Sequence, residues 1–393
     1  MLAKSAAALF AAAAGVAAQG QNGTAVAAGL LQALTDNNLT TLASLAQQNV
    51  AALLPLLTSE GNKTVFAPTN EAFSSLSEDA SGNQTAVLEL LSYHIYYGSF
   101  PSGDGDNETM MPTILRSTLN SSDVVNLPGG VGQVAVLTTN GSDSSNVTVL
   151  GATENVTSVA TTQYQNFLVH VVPQLLTIPV SLSETAQAAN LSSLTGALQQ
   201  YAPDTIGQLE STAGITVFAP VNSAFAAAQE VISSLNDTAI ANVLLNHVVT
   251  GEVFYSSDLE FDQSASDSSV ISAGGTPLTF SMNDTGVFVM SGNASARVTR
   301  TNIPISNGVV HLIDAVLANA ASSPDAAESA ASSYSSVAAT RTEQATGPVG
   351  TASGSAPSAT GNMGGGGNGV GKTAFSASLA GGMLAAVGFA LAA

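Results

Sequence analysis

Apolar positions along this chain change period twice, in the same order each time. Leu42, Leu45, Val50, Leu53, Leu54 and Leu57 recur at helical spacing and predict one amphipathic helical face. Strand-like runs follow at residues 134–137 and 147–150. The pattern then restarts. Ser181-Leu182-Ser183-Glu184 has the spacing of a capping box, in which a serine and a glutamate satisfy free N–H groups at a helix start. Leu191, Leu194, Leu198 and Tyr201 continue a helical face. Strand-like runs at 277–282, 287–290 and 309–313 follow. Helices first and strands later, twice over, predict an α+β chain of two similar halves.

A ten-residue phrase fixes the repeat. It reads Thr64-Val65-Phe66-Ala67-Pro68-Thr69-Asn70-Glu71-Ala72-Phe73, and again Thr216-Val217-Phe218-Ala219-Pro220-Val221-Asn222-Ser223-Ala224-Phe225. β-Branched and aromatic residues favour a strand, and the proline, with no N–H to donate, ends it. Asn70 and Asn222 then fall where an N-cap is wanted, with Phe73 and Leu76 on one face of the helix that follows. Most of these residues read as packing.

Histidines mark two more landmarks in each half. His94 lies in the run 91–98 and His247 in 245–251; His170 lies in 167–172 and His311 in 307–314. Read as a strand, the first run sets His94 and Tyr96 on the face opposite to Tyr93, Ile95 and Tyr97. From the residues alone His94 and His247 are core histidines, ligands or exposed recognition groups, with the core foremost. His170 and His311, in apolar runs, read as structural.

The repeated phrase resembles the first signature box of the fasciclin (FAS1) domain family, and Asn307-Gly308-Val309-Val310-His311-Leu312-Ile313-Asp314 resembles its second. The first half departs from the second box, with Phe167 in place of glycine and Val172-Pro173 in place of Ile-Asp. The resemblance implies two tandem domains over 24–179 and 180–320, each a β-rich wedge or sandwich with helices packed on it. It also implies adhesion. Tyr93-His94 keeps the Tyr-His pair that the family associates with cell adhesion, while His247 follows Asn246. Tyr93, His94 and His247 are therefore the adhesion candidates. The family's Asp-Ile adhesion motif near the second box has no counterpart here.

Composition narrows the chemistry. The 393 residues include 27 acidic and 7 basic ones, a net charge of −20, with no basic cluster, so nucleic acid is excluded as a partner. There is no cysteine and there are only four histidines, which removes thiolate chemistry and leaves no local zinc signature. No H-E-x-x-H or G-x-S-x-G run occurs, so no catalytic residue, metal site or cofactor is assigned. Asp104-Gly105-Asp106-Asn107-Glu108 offers oxygen ligands to calcium but reads as a solvated loop. Residues 366–373 satisfy the P-loop pattern without the strand, helix or core that a phosphate site needs.

Both ends read as processing segments. Residues 1–18 carry Lys4, an apolar run and Val16-Ala17-Ala18, a signal peptide. Residues 321–368 are rich in Ser, Thr, Ala and Gly and predict a disordered, O-glycosylated stalk. A glycine run, a spacer and an apolar tail match a glycolipid-anchor signal, with attachment at Asn368, rivals at 365–367, and residues 369–393 removed. N-x-S/T sequons begin at Asn22, Asn38, Asn62, Asn83, Asn107, Asn120, Asn140, Asn146, Asn155, Asn190, Asn236, Asn283 and Asn293. The expected product is a secreted glycoprotein anchored to the outer leaflet, resembling the fasciclin-like proteins of fungi. Its expected partners are cell-surface, matrix or cell-wall components, further copies of itself included. The alternative is a secreted small-ligand binder or enzyme using a His/Tyr pocket.

Overall fold

The computed structural model describes residues 23–59, 61–76, 82–100, 112–139, 146–259, 269–283 and 285–340. The first half opens with three helices, α1 (Gly23–Asp36), α2 (Thr40–Gln48) and α3 (Val50–Thr58). The single face expected across 42–57 is broken at Asn49, whose side chain donates to the Leu45 carbonyl while its own carbonyl starts α3. Leu42, Leu53 and Leu57 stay buried across the break, but Val50 turns outward. Next come β1 (Lys63–Pro68), a short 3-10 turn (Glu71–Ser75), α4 (Gln84–Tyr93) and β2 (Ile95–Tyr97). The strands β3 (Thr113–Arg116), β4 (Val134–Thr139), β5 (Val147–Leu150), β6 (Asn155–Thr157), β7 (Ala160–Tyr164) and β8 (Phe167–Val172) complete the half.

The second half repeats the order. Its helices are α5 (Leu182–Ala188), α6 (Ser192–Tyr201) and α7 (Pro203–Ser211). The capping box expected at Ser181 and Glu184 starts α5, with both reciprocal bonds made. Then come β9 (Ile215–Pro220), α8 (Asn222–Ser233), α9 (Asp237–Leu245), β10 (Val248–Thr250), β11 (Val270–Ile271), β12 (Pro277–Asn283), β13 (Gly286–Ser291), β14 (Ala294–Ile305) and β15 (Gly308–Ile313).

Each half is built around one parallel strand pair. β1 pairs with β8 and β9 with β15, so the two signature boxes of a half lie side by side. Every residue of β1 and β9 is buried, because both faces of these strands are covered. Val65 and Ala67 point to the helices, and Phe66 points to the core under the β3-β4-β5-β6 meander. In the second half Val217 and Ala219 pack on helices and Phe218 on the opposite side. The first half divides its strands between sheets β2-β1-β8-β7 and β3-β4-β5-β6. The second runs them into one seven-stranded sheet, because the long β14 pairs with β13 at one end and β15 at the other, through two register shifts.

The two halves share a core. Val253, Tyr255 and Val309 of the second half join the cluster that holds Tyr93, Tyr96, Ile114, Val134 and Val149. The fully buried Gln133 crosses the junction. Its Nε2 donates to the Ile305 carbonyl at 3.0 Å and its Oε1 accepts from Val134 N at 2.8 Å. Asn126 N donates to Ser306 O, Ser306 N to Val180 O, and the Arg300 guanidinium to the Ala152 and Gly151 carbonyls. The approach is close enough that Gly214, at φ 75°, has no room for a side chain: a Cβ there would lie 2.3 Å from Pro128 Cγ.

Beyond β15 the expected disordered stalk begins as structure. Pro324–Thr340 forms a helix, α10, with proline in its first turn and Asp325 near its N-terminus. It packs on Pro128–Gly130 of the first half and on β10 and β11 of the second. The Tyr334 ring meets Phe254 edge-on at 5.7 Å, its hydroxyl accepts from Ile271 N at 2.9 Å, and Ala338 is buried. The alanine-rich segment is a good helix former, and the groove that makes it fold is supplied by distant parts of the chain. The rest of the expected stalk, the signal peptide and the anchor signal lie outside the described residues.

Because α10 touches both halves, Tyr334→Ala should destabilise the whole chain by about 2 kcal/mol. Urea unfolding of the two proteins checks this; an unchanged midpoint would show that the helix adds nothing to the fold.

Candidate functional site

His94 is not on a strand. Helix α4 ends at Tyr93 and His94 is its C-cap, so the run 91–98 is a helix end followed by a strand. This turns Tyr93 and His94 inward, 3% and 2% exposed. Both imidazole nitrogens are engaged: Leu176 N donates to Nε2 at 3.0 Å, so Nδ1 carries the proton and donates to the Leu90 carbonyl at 2.7 Å. His247, 1% exposed, repeats this with Leu317 N at 2.9 Å and the Val243 carbonyl at 2.7 Å. Each ring ties a helix end to the segment that follows the second box.

The residue before each histidine differs, and the structure shows why. Tyr93 reaches across the core, and its hydroxyl donates to Val134 O at 3.1 Å. Asn246 instead donates to the Asn319 and Ala321 carbonyls and accepts from Ser272 and Thr276 hydroxyls. Tyr93, His94 and His247 are thus interior groups with their hydrogen bonds made. Little of them reaches the folded surface, although Tyr93 lines a cleft at the junction of the halves, and neither His94 nor His247 has a free ring nitrogen.

The second-box histidines close each domain. The His170 ring stacks on Phe66 at 5.3 Å and His311 on Phe218 at 5.3 Å. Their Nε2 atoms donate to the carbonyls of Phe100 and Phe254, at 2.9 and 3.0 Å. The N–H groups of those same phenylalanines donate to the hydroxyls of Thr64 and Thr216 in the first box. Threonine and histidine together clamp one residue in each half. Burial pushes the pKa of His94, His247 and His311 down to about 4, and that of His170 down as well.

The box asparagines cap helices, though not their own. Asn70 Oδ1 accepts from Thr41 N, in the first turn of α2, at 3.0 Å, and Nδ2 donates to Asn38 O at 2.8 Å. Asn222 Oδ1 accepts from Ser193 N, in the first turn of α6, and Nδ2 donates to Asn190 O at 2.7 Å. Asn38 and Asn190 both sit at positive φ, 61° and 57°, where asparagine is tolerated. The signal for this was present: an Asn-Leu-Thr/Ser triplet stands 32 residues before the box asparagine in both halves.

The surface carries the other pattern. Asn38, Asn62, Asn83, Asn120, Asn155, Asn190, Asn236, Asn283 and Asn293 are exposed, and Asn146 is half-buried. Of the remaining described asparagines only Asn70 is exposed; Asn49, Asn246, Asn302 and Asn307 are buried. Asn83 and Asn236 are also side-chain N-caps of the equivalent helices α4 and α9. Asn22, Asn107, Asn140, Asn368, the acidic loop 104–108 and the P-loop-like run lie outside the described residues. Among the described residues no group of three metal-ligating side chains comes together. Asp314, the box aspartate, accepts from Arg297 N and pairs with its guanidinium across β14 and β15.

Two tandem α+β domains, each closed by a first-box strand against a second-box strand, define the class. Residues 37–179 and 189–319 match the family model described as the fasciclin domain, and the chain belongs to that family. It is similar to a fasciclin-like arabinogalactan protein of Arthroderma benhamiae, 27% identical over 273 residues, covering 67% of this chain and 60% of that one. It is also similar to the fasciclin-like arabinogalactan protein CTB11 of Cercospora beticola, 26% identical over 264 residues, covering 65% of this chain and 67% of that one. This chain thus spans about three-fifths of the first relative's length. Among solved structures, a FAS1 domain pair from the insect cell adhesion molecule fasciclin I aligns with 72% of this chain and 97% of that one, at 18% identity and a TM-score of 0.36.

Two outcomes follow from the clamps. A histidine held neutral in the fold takes up a proton on unfolding once the pH falls below about 6.5. Its contribution is full above that pH, falls as pH drops, and levels off near 4. Each of His94, His247 and His311 accounts for roughly 3 kcal/mol across that window. The urea midpoint should fall between pH 7 and pH 5, and a flat or rising midpoint would contradict the assignment. Separately, Asn70→Ala or Asn222→Ala should each cost about 1 kcal/mol through the lost cap in the same assay.

Proposed function

We propose that this chain is a glycoprotein of the cell surface or wall that works by adhesion rather than catalysis. The observation that carries the reading is the division of its described asparagines: nine of the ten in sequons are exposed, whereas of the others only Asn70 is. That division is what a chain sheathed in N-glycans needs, and it fits passage through the secretory pathway behind residues 1–18. The names of the two fungal relatives, both fasciclin-like arabinogalactan proteins, support a wall or surface setting. The C-terminal glycine run and apolar tail support a glycolipid anchor at Asn368. Contacts are weak singly and add up over many anchored copies, each raising the effective concentration for the next. The partners are wall or matrix components, or glycans and protein of neighbouring copies.

Phosphatidylinositol-specific phospholipase should release the protein from intact cells, with a glycolipid remnant on the peptide ending near Asn368. Retention of the tail to Ala393 would reject the anchor. The released protein should bind wall material or cells weakly as a monomer and at least tenfold more tightly when clustered on beads. Equal binding in both formats, at the level of an unrelated glycoprotein, would reject adhesion.

A further inference from the structure

A cleft of about 550 Å³ opens where the two halves meet. One wall is α4, through Ala86, Val87 and Leu90; a second is the turn from β5 to β6. The connector at 174–180 closes a third side, and Thr185 of α5 and Pro304 of β14 come from the second half. The volume lies in the range of small-molecule sites, and domain junctions are a preferred place for them.

Three observations give the cleft a chemical preference. Its lining is mainly apolar. Among the described residues it offers no free cation, because Arg300 beside it is spent on the Gly151 and Ala152 carbonyls, and the one carboxylate among its described lining residues, Glu154, is exposed. Finally, Thr185 lines it with only 2% of its surface exposed and with a hydroxyl that has no hydrogen-bond partner. A buried, unpaired hydroxyl is costly, and native proteins keep few of them. Here α5 does not use it, since the capping of this helix is done by Ser181 and Glu184.

We propose that the junction cleft binds a neutral, largely apolar small molecule that carries a hydroxyl, amine or carbonyl, and that this polar group pairs with the Thr185 hydroxyl. The apolar body lies against Val87, Leu90, Ile178 and Pro304. An anion would meet no cation among the described residues, and the mainly apolar lining favours an apolar body over a sugar. The site is independent of the adhesive role, because it draws on no surface glycan and no anchored copy.

The test uses the intact secreted protein and the neutral fluorophore N-phenyl-1-naphthylamine, whose N–H can serve the threonine. Saturable, blue-shifted enhancement with one site per chain is expected. Ala86→Trp, which fills the cleft from α4, should weaken binding at least tenfold; Thr177→Trp on the exposed connector fills it from the other side without touching the core. Gly196→Phe is the control, because it fills a separate apolar groove of about 310 Å³ among α6, α8 and α9 and should leave binding unchanged. Thr185→Val should weaken the probe several-fold and raise the Tm of the free protein, since it removes the unpaired hydroxyl. Absence of saturable enhancement, enhancement lost with Gly196→Phe, or enhancement kept in both tryptophan variants would overturn the proposal.

Discussion

The stacked pair of a first-box phenylalanine and a second-box histidine is the contact on which each domain depends. Phe66 stands opposite His170 in the β1–β8 register, and Phe218 opposite His311 in the β9–β15 register. Parallel pairing of strands so far apart in sequence pays for a large loop, and a one-residue slip would send every side chain to the wrong face. The clamp on Phe100 and Phe254 prevents that slip. Thr64 and His170 hold the amide and carbonyl of one residue, which works in one register only. Burial of a polar ring is tolerable because both nitrogens of each ring find partners, and it requires the ring to stay uncharged.

This constraint explains why the histidines recur although none of them is available for chemistry. A catalytic imidazole needs one nitrogen free to take or give a proton. Here each nitrogen faces a backbone N–H, a carbonyl or a hydroxyl. His94 and His247 carry the proton on Nδ1 and His170 and His311 on Nε2, each set by the carbonyl that receives it. The two kinds of clamp are complementary. One fastens the helices to the segment after the last strand; the other fastens the two signature strands to the loop after β2 or β10.

The succession of helices before strands, and several of the strands, were legible because the chain repeats the pattern, whereas β3, β6, β7 and β14 were not. Residues 147–150 and the capping box at Ser181 appear where periodicity and spacing put them. The parallel pair was not legible: an apolar histidine run ends each half, but nothing local in it says that it joins the first-box strand. What stayed hidden depended on contacts between distant residues. Local pattern gave Asn70 to the helix beside it, whereas the free N–H that it serves belongs to α2, 29 residues earlier. Alternation placed His94 on a strand, because nothing in Ser92-Tyr93-His94 marks where helix gives way to strand. Gln133 carries no signal at all, since its partner Ile305 lies in the other half. Tyr334 sat in a segment whose composition belongs to a stalk, and only the groove beside Phe254 makes it a packing residue.

The shared core changes how adhesion by this chain has to be counted. Two FAS1-like domains on a loose connector would act as two binding modules, with a linker setting their effective concentration. Domain junctions of that kind are small and polar. Here Tyr255 and Val309 enter the core of the first half, Gln133 is buried between the halves, and α10 lies against both. The described residues, 23 to 340, accordingly belong to one compact unit. Under the proposed adhesive role, multivalency at a surface would therefore come from the number of chains presented there, and not from independent movement of the two domains within one. The same junction leaves a cleft that neither half could make alone, so the fusion that removes one kind of binding versatility supplies the geometry for another.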